Sequence, residues 1–156
     1  MSRTVVVDLD GALGDTRPLW DAFLVDAARR FGSIASLDPA KLPPDRVEAA
    51  AELDRWAEAG VGDWRRALTR FAEDHAPVHL RPDPDANAAL RRLKRSGATV
   101  VVATDAPEPL AQVAVAQLGV GRSVDELRAG IRSGPDALAD VASLDAAAAA
   151  HGYDRA

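Results

Sequence analysis

The chain has no cysteine among its 156 residues, which removes disulfides, thiolate zinc sites and cysteine nucleophiles from consideration. It has no basic run either, and with a formal charge of −5 it holds no general attraction for a phosphate backbone. Nucleic acid is therefore not an expected partner. No apolar stretch is long enough to span a bilayer and no signal-peptide pattern follows Met1-Ser2-Arg3, so the expectation is a cytoplasmic protein without a membrane partner. Aromatic residues are scarce, at 4%, and every tryptophan and phenylalanine falls between Trp20 and Phe71. With 47% apolar and 28% charged residues the composition is that of a globular protein, and the large alanine share favours helix. The length favours one domain with a small inserted subdomain.

What the sequence does have is concentrated in Thr4-Val5-Val6-Val7-Asp8-Leu9-Asp10-Gly11. The valine run lacks polar alternation, which predicts a strand covered on both faces, as in the middle of a parallel sheet. Residues two apart on a strand point the same way, so Asp8 and Asp10 leave its carboxyl end on one side, close enough to share a cation or a proton. Ligands of open α/β sheets bind beyond that end.

Next comes a loop in which Gly14 is expected to take a positive φ. Trp20, Phe23, Leu24, Ala27 and Phe31 then repeat with helical spacing up to Gly32. Pro39, Pro43 and Pro44 break the following segment. Ala50, Leu53, Trp56, Ala57 and Gly60 mark a second helix, and Trp64, Ala67, Leu68, Phe71 and His75 a third. Together they suggest a small helical core of its own, inserted after the first strand. His79 falls in a proline-flanked connection, and with no further ligand beside them His75 and His79 read as packing and surface residues.

From Asp83 the pattern returns to an α/β unit. Asp83-Pro84 is an N-cap followed by proline at the first helical position, with Ala86, Ala89, Leu90 and Leu93 as the buried face before Gly97. Ala98 to Thr104 is a second buried strand, again ending in a polar pair, Thr104-Asp105. Pro107 and Pro109 open a helix that closes at Gly119. Ser123-Val124-Asp125-Glu126 fits a capping box for a short helix, although a strand between Asp125 and Ile131 is the alternative. The alanine-rich run from Ala137 to His151 is helical by propensity.

The segment Val5 to Thr16, with Asp8-Leu9-Asp10-Gly11-Ala12-Leu13-Gly14-Asp15-Thr16, resembles the first motif of the haloacid dehalogenase-like superfamily, Asp-x-Asp-Gly-Thr-Leu-x-Asp-Ser/Thr. Leu90 through Thr104 is similar to the helix, glycine and strand that carry the family's phosphate-binding threonine. The resemblance implies an α/β fold with a Rossmann-like core and a parallel sheet, formed by residues 1–15 and 80–156, with 16–79 as an inserted helical cap. It implies a magnesium-dependent phosphate-monoester hydrolase acting on a small phosphorylated molecule. Asp8 would be the nucleophile that forms an aspartyl-phosphate, and Asp10 the general acid and base. Gly11, Thr104 and Asp105 would hold the phosphoryl oxygens. Mg2+ would be bound by Asp8, the Asp10 carbonyl and Asp140.

The match has departures. Ala12 stands where the family pattern has threonine. The family also places a lysine or arginine after the second strand, yet Lys41 and Lys94 are the only lysines and both precede Thr104, which leaves Arg122, Arg128 or Arg132. Asp140 and Asp145 have the separation of the family's late acidic pair but follow no apolar strand. These departures define the rival reading, a binding or scaffold protein that kept the fold and lost turnover. A receiver-like phospho-acceptor is disfavoured by the helical insertion and the missing late lysine.

Overall fold

The structure is a computed structural model, and it describes residues 4–31 and 38–131. The valine run forms β1 (Thr4–Asp8) and its counterpart β2 (Thr99–Ala103), and these pair in parallel with Asp8 opposite Ala103. Val5, Val6 and Val7 are all buried, so β1 is covered on both faces as its sequence requires. Among the described residues, however, it is β2 that has a neighbour on each side, in the order β1-β2-β3.

The third strand, β3 (Glu126–Arg128), lies where the capping-box pattern suggested a helix. Its pairing explains the outcome. The Asp125 N–H donates to the Val100 carbonyl at 2.9 Å, while the Asp125 carboxylate accepts from Val100 N at 2.8 Å and from Lys94 Nζ at 2.6 Å. The aspartate inside that capping-box pattern is thus used to pin a strand to the open side of β2. β3 escapes the search for a Val/Ile run because it is short and partly exposed.

Among the described residues five helices accompany these strands. They are α1 (Arg17–Phe31), α2 (Arg46–Glu58), α3 (Trp64–His79), α4 (Pro84–Arg95) and α5 (Glu108–Gln117). Asp45, Asp63 and Asp83 cap α2, α3 and α4 by accepting backbone N–H bonds in their first turns, each cap contributing about 1 kcal/mol. α3 runs on through Pro77 to His79 instead of stopping at His75. His75, exposed, stacks on Phe71 with ring centroids 4.0 Å apart.

The helices of the insertion do not keep a separate core. Phe23 packs edge-on against Phe71 at 5.8 Å and Trp20 against Trp64 at 6.4 Å, and these rings belong to the same buried cluster as Val5, Val100 and Leu110. The reason is that α3 packs on α5 as well as on α1, so its apolar face is shared with the sheet layer. No helix among the described residues is long and apolar enough to cross a membrane.

Candidate active site

Parallel pairing with Asp8 level with Ala103 puts the residues after β1 beside those after β2. The Leu9 N–H continues the ladder to the Ala103 carbonyl at 3.0 Å, and Thr104 N donates to the Arg128 carbonyl at 2.9 Å. Asp8 ends β1, half-buried. Leu9 is fully buried, so by strand alternation Asp8 and Asp10 leave on the side away from it. The chain then turns tightly, Gly14 N and Leu13 N both donating to the Leu9 carbonyl.

The positive φ of that turn falls on Gly11 and not on Gly14. Gly11 has the positive φ, +97°, and its N–H donates to the Gly14 carbonyl at 2.7 Å. What Gly11 gives the site is therefore the shape of the turn. Gly14 is needed for space, because a Cβ there would lie 3.0 Å from Leu118 Cδ1.

Asp10 is the hub. Its Oδ1 accepts from Thr16 N at 2.6 Å and Thr16 Oγ1 at 2.7 Å, and its Oδ2 accepts from Thr104 Oγ1 at 3.1 Å and Arg46 Nη2 at 2.5 Å. The structure thus joins the sequence-predicted residues Asp10 and Thr104 directly. Thr104, 2% exposed, also accepts from Ala106 N at 3.1 Å, which fixes the backbone on either side of Asp105.

Arg46 is the residue that sequence reasoning missed. It is 4% exposed and reaches across from the first position of α2, donating from Nη2 also to Asp105 Oδ1 at 2.5 Å and from Nη1 to Thr16 Oγ1 at 2.7 Å. Burial works against its charge, but the hydrogen bond to Asp105 and the attraction of Asp10 and Asp105 outweigh this and raise its pKa further. It is a permanent cation. A signal for it did exist: Arg46 lies three and seven residues before the buried Ala49 and Leu53, so an arginine occupies the apolar stripe of a helix. Tracing the helix from Ala50 hid that spacing.

The other cations lie elsewhere. Arg128 pairs with Glu126 on its own strand at 2.8 Å, Arg122 is exposed in the 3₁₀ turn Gly121–Ser123, and Lys94 is held by Asp125. Arg17 is exposed, within electrostatic reach of Asp10 and Asp105. Its guanidinium grips Asp15 at 2.8 and 3.0 Å, and this hydrogen bond holds the Asp15 carboxyl below the usual range. Asp15 also accepts from Arg17 N at 3.0 Å, which is the helix-start role its position suggested. Trp20 is buried in the core and does not line a cleft. Arg132, Asp140, Asp145 and the alanine-rich run to His151 lie outside the described residues.

A family model described as haloacid dehalogenase-like hydrolase matches residues 2–151. A solved structure from Thermotoga maritima, described as a β-phosphoglucomutase, is similar with a TM-score of 0.50 and 21% identity. The match covers 87% of this chain and 67% of that one, and at that identity the likeness concerns the fold. No curated protein matches the chain.

Proposed function

This chain belongs to the haloacid dehalogenase-like hydrolases, and from that membership we propose that it is a magnesium-dependent phosphatase of small phosphate monoesters. Residues 1–15 and 80–156 form the core in this reading, and 16–79 the cap. The observation that carries it is the meeting of Asp10, Thr104 and Arg46 just beyond β1 and β2, on the strand end that Asp8 closes.

Asp8 attacks phosphorus as a carboxylate, which needs no prior deprotonation at neutral pH. Asp10 takes up a proton from solvent as Arg46 turns to the entering phosphate, and it hands that proton to the leaving alkoxide as the bond from phosphorus to the ester oxygen breaks. Asp10 then removes a proton from the water that cleaves the aspartyl-phosphate, which frees the Asp8 carboxylate, and releases that proton to solvent as Arg46 pairs with it again, so both residues return to their starting states. Arg46 and Thr104 reach Asp10 through one oxygen, Oδ2. A phosphate dianion entering there offers both donors charged acceptors of its own and opens Oδ2 to the leaving oxygen. Thr16 keeps hold of Oδ1 meanwhile.

The donor chemistry fits magnesium. Asp10 and Asp105 set two carboxylates against one buried guanidinium and Asp8 ends the strand just before Asp10, and this hard cation favours a few protein oxygens completed by water and substrate phosphate. Because the Asp10 carboxylate is occupied by protein donors, the Asp8 carboxylate and the Asp10 carbonyl would hold the ion. Among the described residues no group of three acidic, histidine or cysteine side chains converges, so any third protein ligand, Asp140 included, lies outside them. The ion supplies positive charge to the phosphoryl oxygens when bound.

The test is release of inorganic phosphate from an aryl phosphate by the purified protein with magnesium. Asp8→Asn is expected to lower the rate by a factor on the order of 10³ or more. Activity no higher than this variant's on a broad panel of phosphate esters overturns the proposal. A second reading, a phosphate-binding protein without turnover, is favoured by the Arg46 bridge that occupies Asp10 and Asp105 together. It predicts calorimetric binding of phosphate with no release from any ester.

A further inference from the structure

Beside Asp105 the site opens into a cavity of about 330 Å³ between α2, the start of α5 and the end of β3. Its size is at the lower end for small-molecule sites, roughly 300–1,000 Å³. α2 buries Arg46, Ala49 and Leu53 in the core and turns a second stripe, Val47, Ala50 and Ala51, toward the cavity. Those side chains are small and apolar, so this wall suits a short hydrocarbon and offers it no hydrogen bond.

The charges at the rim are not balanced. Asp54 is neutralised by Arg65 at 3.0 Å and accepts a further bond from Trp64 Nε1 at 2.9 Å. Arg65 is in turn held over the Trp64 ring at 4.5 Å, so this pair has no net charge to offer. Asp105 shares the single charge of Arg46 with Asp10. Glu108 differs: its carboxylate takes a hydrogen bond from the neutral Gln112 amide at 3.1 Å, and among the described residues no ion pair is seen at it. Among the described residues Glu108 is therefore the rim carboxylate with no cation of its own.

We propose that this cavity receives the alcohol portion of the phosphate ester and selects a short hydrocarbon alcohol that bears a cationic amine, with Glu108 as the determinant. The proposal rests on the phosphatase reading above. An ester with a second anionic group meets Glu108 as a like charge and is disfavoured.

Three esters of similar length separate the possibilities: 3-aminopropyl phosphate, n-butyl phosphate and 3-phosphooxypropanoate. Their kcat/KM values are compared for the wild type, Glu108→Gln, and Glu73→Gln on the exposed side of α3. Because Glu108 is exposed, its contribution is that of a surface pair, and the amine is expected to exceed the butyl ester about fivefold. The carboxylate ester should fall below both. Glu108→Gln should bring the amine-to-butyl ratio close to one, while Glu73→Gln keeps it. A ratio near one in the wild type, a preference for the carboxylate ester, or an amine preference that survives Glu108→Gln overturns the proposal. Calorimetric binding of the same esters to Asp8→Asn separates this from the broader reading. An amine preference there, with no ester hydrolysed by the wild type, supports the cavity assignment and removes the phosphatase.

Discussion

Thr104 Oγ1 donates to Asp10 Oδ2 at 3.1 Å across a sequence separation of 94 residues, and both side chains emerge just past the ends of neighbouring parallel strands. The pairing register alone brings them together. Thr104→Val keeps the shape and removes the donor, so kcat is expected to fall on the order of tenfold to a hundredfold with the fold unchanged. Steady-state kinetics and far-ultraviolet circular dichroism check the two halves of that statement.

Arg46→Met replaces a buried guanidinium by a side chain of similar length. Asp10 and Asp105 then lose their shared counter-charge, and removing one partner from a buried pair costs about 3 kcal/mol or more. Urea unfolding should show the lower midpoint. Arg46→Lys restores a charge without the planar fork that reaches Asp10, Asp105 and Thr16 together, so it should recover only part of the loss.

Thr16 is fully buried and gives Asp10 both its N–H and its hydroxyl. Thr16→Val removes one hydrogen bond to a charged group and leaves Arg46 Nη1 without its oxygen, a cost of about 1.5–3 kcal/mol. Thermal unfolding measures it.

The Lys94 hydrogen bond, with that of Val100 N, holds the Asp125 carboxyl below its ordinary value. A lowered folded-state pKa adds stability that is fully present above about pH 4, the unfolded value, and is lost as the pH falls through the lower folded value. Asp125→Asn should therefore lower Tm at pH 7 and should differ less from the wild type at pH 2.5. An equal difference at both pH values contradicts this account.

Gly11→Ala and Gly14→Ala should both destabilise, for different reasons. At Gly11 a Cβ meets nothing within 4 Å, but φ is +97°, and the strain is about 1–2 kcal/mol. At Gly14 a Cβ is driven against Leu118, an overpacking cost of about 1–3 kcal/mol. Leu118→Ala, made together with Gly14→Ala, should relieve part of the second cost and none of the first in denaturant titrations.

The parts of the fold visible in the sequence are those in which one residue type suffices for one job. Two valine runs gave two buried strands, and the Asp83-Pro84 pair marked the start of α4. β3 was ambiguous because an edge strand of three residues carries little hydrophobic pattern, and because Ser123 and Glu126 have the spacing of a capping box. In the site, Asp10 and Thr104 could be found because each ends a recognisable strand. Arg46 could not be found by looking after β2, where the family pattern puts its cation. It comes from the insertion, and only its place on the Ala49 and Leu53 stripe distinguishes it from the surface arginines around it.

The bare Cα of Gly14 admits the Leu118 methyls, so the turn below Asp10 rests on the last residues of the helix that follows Thr104. The two loops that meet through Asp10 and Thr104 are thereby levelled by hydrocarbon at their rear. Damage to that hidden footing would be inherited at the mouth, as misalignment of polar groups that had themselves never been altered.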